Sequence, residues 1–135
     1  MKILLCPPVD EDLKLQVETT APDAEVVMTD MKAAVAAIAD AEILFGTYND
    51  QMLSAAGALR WIQTTSAGMD GSQIPPALRD SDIRVCNASG VHAIQVAEHA
   101  FALMMALLRG VHESVRHQAE HAWKRPALSE VYGAT

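Results

Sequence analysis

The sequence predicts an α/β fold built on a parallel sheet covered on both faces, and three observations carry that expectation. Short aliphatic runs alternate with helix-forming stretches along residues 1–90. The runs are apolar at successive positions rather than at every second one, as ILLC and EILF show, which is the pattern of strands buried on both faces. The last third then changes to a long helical period.

The strand candidates are residues 3–6, 25–28, 42–45, 60–64 and 83–86, each of strand length and rich in Ile, Leu, Val or Phe. Between them, residues 10–19, 31–39, 50–56 and more weakly 71–78 read as helices, mostly opening on an acidic or polar residue. Five βα units joined by right-handed crossovers favour a flavodoxin-like, doubly wound five-stranded parallel sheet in the order 2-1-3-4-5. From about residue 93 to 121 no proline occurs and one glycine, Gly110, interrupts the pattern. Ile94, Ala97, Phe101, Met104, Met105, Leu108, Val111 and Val115 follow the i, i+3, i+4, i+7 rule. Over residues 100–108 the helix is apolar around its whole circumference, so it needs protein on all sides. Either the covering protein is missing from these residues or a second copy supplies it, and a homodimer pairing through this helix is the expected partner.

Composition narrows the function. The 135 residues are 50% apolar, 20% charged and 4% aromatic, which suits one aliphatic core and excludes disorder. Ten Lys and Arg against 17 Asp and Glu leave a formal charge of −7, which repels a phosphate backbone, so no nucleic acid is expected. The longest apolar run is about half the ~18 residues of a membrane span, and the first residues read as a strand. A soluble, cytoplasmic protein that contacts no membrane is expected. Cys6 and Cys86 stand alone within apolar runs, without CxxC spacing, and read as buried, reduced thiols.

The segment with most chemical content is Thr64-Thr65-Ser66-Ala67-Gly68-Met69-Asp70-Gly71, which follows the fourth strand at its carboxyl end. Ligands bind along that edge of an open parallel sheet. A glycine-containing turn there can present several backbone N–H groups to a carboxylate. The plainer reading is that Gly68 only permits a tight turn. Related folds fit poorly. A receiver domain needs a lysine after strand five, where this chain has Cys86-Asn87-Ala88-Ser89, and a flavodoxin needs a hydroxyl-rich loop after strand one, where it has Cys6-Pro7-Pro8-Val9. No G-x-G-x-x-G occurs. His117 and His121 lie i, i+4 near Glu113 and Glu120, yet no third ligand has a definite spacing, so a solvated polar face is favoured over a metal site. His99 reads as a helix-surface or interface residue. His92 sits between strand five and the long helix, on the same sheet edge as the Ser66-Ala67-Gly68 turn.

From about Leu59 to Arg109 the chain reads LRWIQTTSAGMDG and then IRVCNASGVHAIQVAEHAFALMMALLR. Ser-x-Gly-x-Asp, a strand ending in Asn, a Val-Ala-Glu helix start and a closing Arg, in this order and spacing, resemble the amino-terminal part of D-isomer-specific 2-hydroxyacid dehydrogenases. The resemblance implies a substrate domain over residues 1–90, an interdomain helix over 91–122 and a connector over 123–135 leading toward a Rossmann NAD(P)-binding domain that these residues do not contain. It implies interconversion of a 2-oxoacid and a D-2-hydroxyacid with NAD or NADP, neither of them held tightly by this chain alone. The ligand is then a small 2-oxo or 2-hydroxy carboxylate. Substrate contacts are expected from Ser66, Ala67, Gly68, Tyr48, Met69 and His92, and cofactor contacts from Ala67 and Gln95. The family's Arg and its His acid/base belong to a later part, so no residue here inherits a catalytic role and the chain alone is expected to be inactive. His92 and Gln95 replace an Asn and a Ser common in the family, which bears on the choice of acid. The alternative is a stand-alone binding or assembly module that performs no chemistry.

Overall fold

The computed structural model describes residues 1–71 and 74–132 and divides into two compact units, residues 1–90 and 91–135. The first unit holds five strands: β1 (Lys2–Cys6), β2 (Glu25–Met28), β3 (Ile43–Gly46), β4 (Trp61–Gln63) and β5 (Arg84–Cys86). All pair in parallel, in the order β2-β1-β3-β4-β5, so the flavodoxin-like doubly wound arrangement read from the sequence is the one observed. Four helices connect the strands: α1 (Glu11–Thr20), α2 (Ala34–Ala37), α3 (Asp50–Ala55) and α4 (Pro76–Arg79).

Side-chain chemistry sets where the helices begin. Asp10 and Asn49 are N-caps, accepting from the Leu13 and Met52 N–H groups at 2.7 and 2.9 Å. The helix expected over 31–39 is shorter than its pattern. Asp30 Oδ1 accepts from both the Lys32 and Ala33 N–H groups, which holds the first three residues as turns before α2. The helix expected over 71–78 begins only at Pro76, because the residue before a proline is pushed out of the helical region and Pro75 is extended. Residues 72–73 of that expectation, and 133–135 of the connector, lie outside the described residues.

One face of the sheet is a dry core. Leu4, Leu44 and Ile62 are fully buried there with Ala34 and Ile38 of the α2 region, Met52 of α3 and Leu78 of α4. The other face is covered only in part by this unit. Within this unit, α1 lies over it near Ile3 and Leu5, while Trp61 on β4 stays 40% exposed. β4 and β5 have three residues each and no helix of this unit above them on that side. This corrects the reading of the two thiols: Cys6 is buried against the Met31 sulfur, but Cys86, at the end of the edge strand β5, is exposed.

The second unit replaces the expected single long helix with two, α5 (Ala93–Leu108) and α6 (Val111–Ala119), bent by 61° at the break. Gly110 makes the bend in the left-handed region, at φ 60°, and a side chain there would meet the Pro126 ring at 2.6 Å. The following segment folds back within the unit, with the Ser129 N–H donating to the Leu108 carbonyl at 2.8 Å. No single helix among the described residues is long and apolar enough to cross a membrane, although the bent pair passes that test of length and composition together.

Candidate functional site

Where β3 and β4 end, their chains open into a cavity of about 310 Å³. Its walls are Gly46, Thr47, Tyr48, Asn49 and Asp50 after β3, and Thr64, Thr65, Ser66, Met69 and Pro75 after β4. This is the carboxyl edge of a parallel sheet, where successive strands release their loops in the same direction.

The β3 side depends on a glycine. Gly46 pairs with Cys6 of β1 at φ 122°, and the adjacent Thr47 N–H donates to the Cys6 carbonyl at 2.7 Å. A Cβ on Gly46 would lie 1.9 Å from that carbonyl oxygen, so only glycine lets the two strands close here. Tyr48 is half-buried against the core, and burial pushes its phenol pKa up.

The β4 side is a turn held by its own hydroxyl. The Ser66 hydroxyl donates to the Gly68 carbonyl, and the Gly68 N–H donates back to Ser66 Oγ at 3.3 Å. The Ser66 carbonyl accepts from the Ala88 N–H at 2.8 Å, tying the turn to the segment after β5. The Ala67 N–H donates to no group among the described residues and is free for an anion. Thr64 is 7% exposed, and its backbone is satisfied on both sides, its N–H by the Cys86 carbonyl and its carbonyl by the Gln63 side chain. Its hydroxyl oxygen is buried and has no hydrogen-bond partner among the described residues.

The residues expected at the site fall into three groups. Tyr48, Ser66 and Met69 line the cavity. Ala67 and Gly68 are exposed on the same turn but do not line it. His92 and Gln95 lie in the second unit, exposed, at the N-cap and in the first turn of α5. The turn does not require a glycine at Gly68: its φ is not in the left-handed region, and an added Cβ would meet nothing within 4 Å. The glycine that the backbone requires is Gly46. Sequence reading passed over Gly46, Thr47, Asn49, Thr64, Thr65 and Pro75 as site residues. The available signal was their place, the first residues after two aliphatic runs. Among the described residues no three His, Cys, Asp or Glu side chains gather as a metal site.

Comparison with known proteins agrees with this geometry. Residues 3–132 match the family model described as D-isomer specific 2-hydroxyacid dehydrogenase, catalytic domain. The D-3-phosphoglycerate dehydrogenase of Mycobacterium tuberculosis is 30% identical over 112 residues, covering 78% of this chain and 21% of that protein. The glyoxylate reductase of Korarchaeum cryptofilum is 29% identical over 92% of this chain and 38% of its own length. Among solved structures, phosphoglycerate dehydrogenase from Lactobacillus plantarum is 27% identical with a TM-score of 0.55, covering 96% of this chain and 43% of that one. A family protein from Aeromonas salmonicida superposes with a TM-score of 0.72 at 21% identity, a likeness of fold. The chain thus spans well under half the length of these relatives. A five-stranded sheet in the order 2-1-3-4-5, a cavity on its carboxyl edge and a family match over residues 3–132 together place this chain in the D-isomer specific 2-hydroxyacid dehydrogenase family.

Proposed function

We propose that this chain is the substrate-binding portion of an NAD(P)-dependent D-2-hydroxyacid dehydrogenase, and that the cavity at the ends of β3 and β4 holds the 2-oxo or 2-hydroxy acid. The observation that carries the reading is the juxtaposition of that cavity with the Ser66-to-Met69 turn and its unengaged Ala67 N–H. A volume of about 310 Å³ suits an acid of a few carbons. The amide is a donor for the carboxylate, and Tyr48 and Met69 bound the carbon skeleton.

A nicotinamide dinucleotide, when bound, supplies the hydride. These residues do not fit its pyrophosphate: the sequence has no G-x-G-x-x-G, and no Lys, Arg or His is among the described residues lining the cavity. The dinucleotide therefore depends on polypeptide other than these 135 residues, and no acid/base role is assigned to any of them. Catalysis needs a donor and an acid/base held in contact with the carbon, so this chain alone should not turn over.

The same reading includes a cytoplasmic homodimer. Ile94 and Phe101, seven residues apart on one side of α5, are each more than half exposed, an apolar surface that a second copy can bury about a two-fold axis.

Titration of the 15N-labelled chain with glyoxylate, pyruvate and hydroxypyruvate tests the site. Amide shifts should concentrate at residues 46–50 and 64–69, with millimolar affinity, on the order of 4 kcal/mol. Shifts confined elsewhere, or oxidation of NADH by the chain alone at a rate typical of dehydrogenases, would refute the reading.

A further inference from the structure

Apart from the cavity at the ends of β3 and β4, we infer that a groove along α6 binds a phosphate group as a doubly charged oxyanion, held by Lys124, Arg125 and two histidines. One short piece of chain makes the groove. α6 ends at Ala119, and His121, in the left-handed region at φ 50°, turns the chain about. Pro126 lies at the other end of the helix, where a side chain on Gly110 would meet it at 2.6 Å, so residues 122–126 run back beside α6. The concavity between them has a volume of about 650 Å³. His117, Gln118 and His121 line it from the helix end, and Trp123, Lys124 and Arg125 from the returning segment.

Each of these six side chains carries an N–H donor, and Lys124 and Arg125 are cations. A guanidinium fork and an ammonium are the groups that hold phosphate oxygens, and imidazole and amide N–H groups add to them. One fork already satisfies a single carboxylate, whereas a phosphate group offers three acceptor oxygens and close to two charges to a larger set of donors. The negative end of α6 is capped rather than open to the groove. The Arg116, His117 and Gln118 carbonyls accept from the Glu120, Ala122 and His121 N–H groups at 3.1, 2.8 and 3.1 Å. Of the other charged groups on this stretch, Glu113, Arg116 and Glu120 do not line the groove. The formal charge of −7 belongs to residues 1–90, because residues 91–135 balance four Lys and Arg against four Glu and hold all five histidines.

The chain has two tryptophans, so in a Trp61→Phe background the emission reports Trp123 in the groove wall. Sodium phosphate, with the ionic strength held constant by sodium chloride, should give a saturable change in the millimolar range, with amide shifts of the 15N-labelled chain over residues 114–126. Lys124 and Arg125 are exposed, so Lys124→Gln and Arg125→Gln should fold as the parent does. Each should weaken binding about 3- to 10-fold, the worth of one hydrogen bond to an exposed charge, and the double variant should lose saturation. Lys14→Gln removes the same charge from α1 and should leave the affinity within about twofold, which separates the groove from the overall charge. Glycerol 3-phosphate distinguishes the sources. Binding equal to that of inorganic phosphate assigns the site to a phosphate group on a larger molecule, and binding of inorganic phosphate alone assigns it to the free ion. Chloride as effective as phosphate, Gln variants that bind as tightly as the parent, or no saturable change in either signal overturns the inference. The cavity reading, tested at residues 46–50 and 64–69, is untouched by any of these results.

Discussion

Replacing Gly46 with Ala tests how the cavity is held open, because it adds one methyl group at the place where two strands are closest. The added Cβ would sit 1.9 Å from the Cys6 carbonyl oxygen and 2.8 Å from its carbon, both backbone atoms of the central strand. The carbonyl must retreat by more than 1 Å to reach ordinary van der Waals separation, about 3.2 Å or more. The displacement weakens its hydrogen bond from the Thr47 N–H, worth about 0.5–1.5 kcal/mol. A non-glycine residue at φ 122° adds about 1–3 kcal/mol of backbone strain. The sum is roughly 2–4 kcal/mol, a large share of a typical domain's 5–15 kcal/mol. For a unit of this size the melting temperature should fall on the order of 10 to 25 °C. Urea and thermal unfolding followed by circular dichroism measure the loss. Gly68→Ala is the control: its backbone is unstrained and its surroundings are open, so stability should stay within about 0.5 kcal/mol of the parent. A Gly46→Ala chain within about 1 kcal/mol of the parent, or a Gly68→Ala chain that loses as much, would refute this account of the turn.

Three further outcomes follow from the structure. Sedimentation equilibrium should find the parent chain dimeric at micromolar concentration and a Phe101→Glu variant monomeric but equally well folded, since Phe101 is 58% exposed on α5; a parent that stays monomeric to high micromolar concentration removes the dimer. Iodoacetamide should label Cys86 in the folded protein and leave Cys6 untouched until unfolding, so equal rates at the two sites would contradict the observed burial. Burial, with the Asp30 charge adding to it, pushes the Cys6 thiol pKa up, so the unfolded chain loses that proton first. Its contribution is therefore intact below the ordinary thiol value, about 8.5, and is lost as pH rises through the raised one. The urea midpoint should fall on the alkaline side with a shallower slope in Cys6→Ala, and identical slopes would show that Cys6 contributes nothing.

Much of the fold was legible because its signals are local. β2 spans the residues its aliphatic run marks, and α1 and α3 begin where Asp10 and Asn49 can cap them. Parallel pairing followed from runs too apolar to have a wet face, and strand order from the handedness of crossovers. Boundaries slipped where a side chain competed with the helix, as Asp30 does ahead of α2, or where two prolines delayed it, as at α4. The turn after β4 was singled out because a hydroxyl-rich, glycine-containing segment after a strand is visible in one dimension, and Tyr48, Ser66 and Met69 do line a cavity.

The sequence by itself determined the fold class and the stretch of chain bearing the site, since both depend on periodicity and on neighbours within a few residues, whereas crossover handedness only favoured the strand order that the structure shows. Only the tertiary structure decided which glycine is indispensable, which cysteine is exposed and which hydroxyl is left without a partner. Gly46 matters because Cys6, forty residues away in sequence, lies against it across the sheet. Cys86 is exposed because β5 is an edge strand with no helix of its unit above that side. Thr64 is 7% exposed at the end of β4, and its hydroxyl oxygen has no partner among the described residues. Each of these depends on distances between segments remote in the chain, which hydrophobic pattern and residue propensity do not encode.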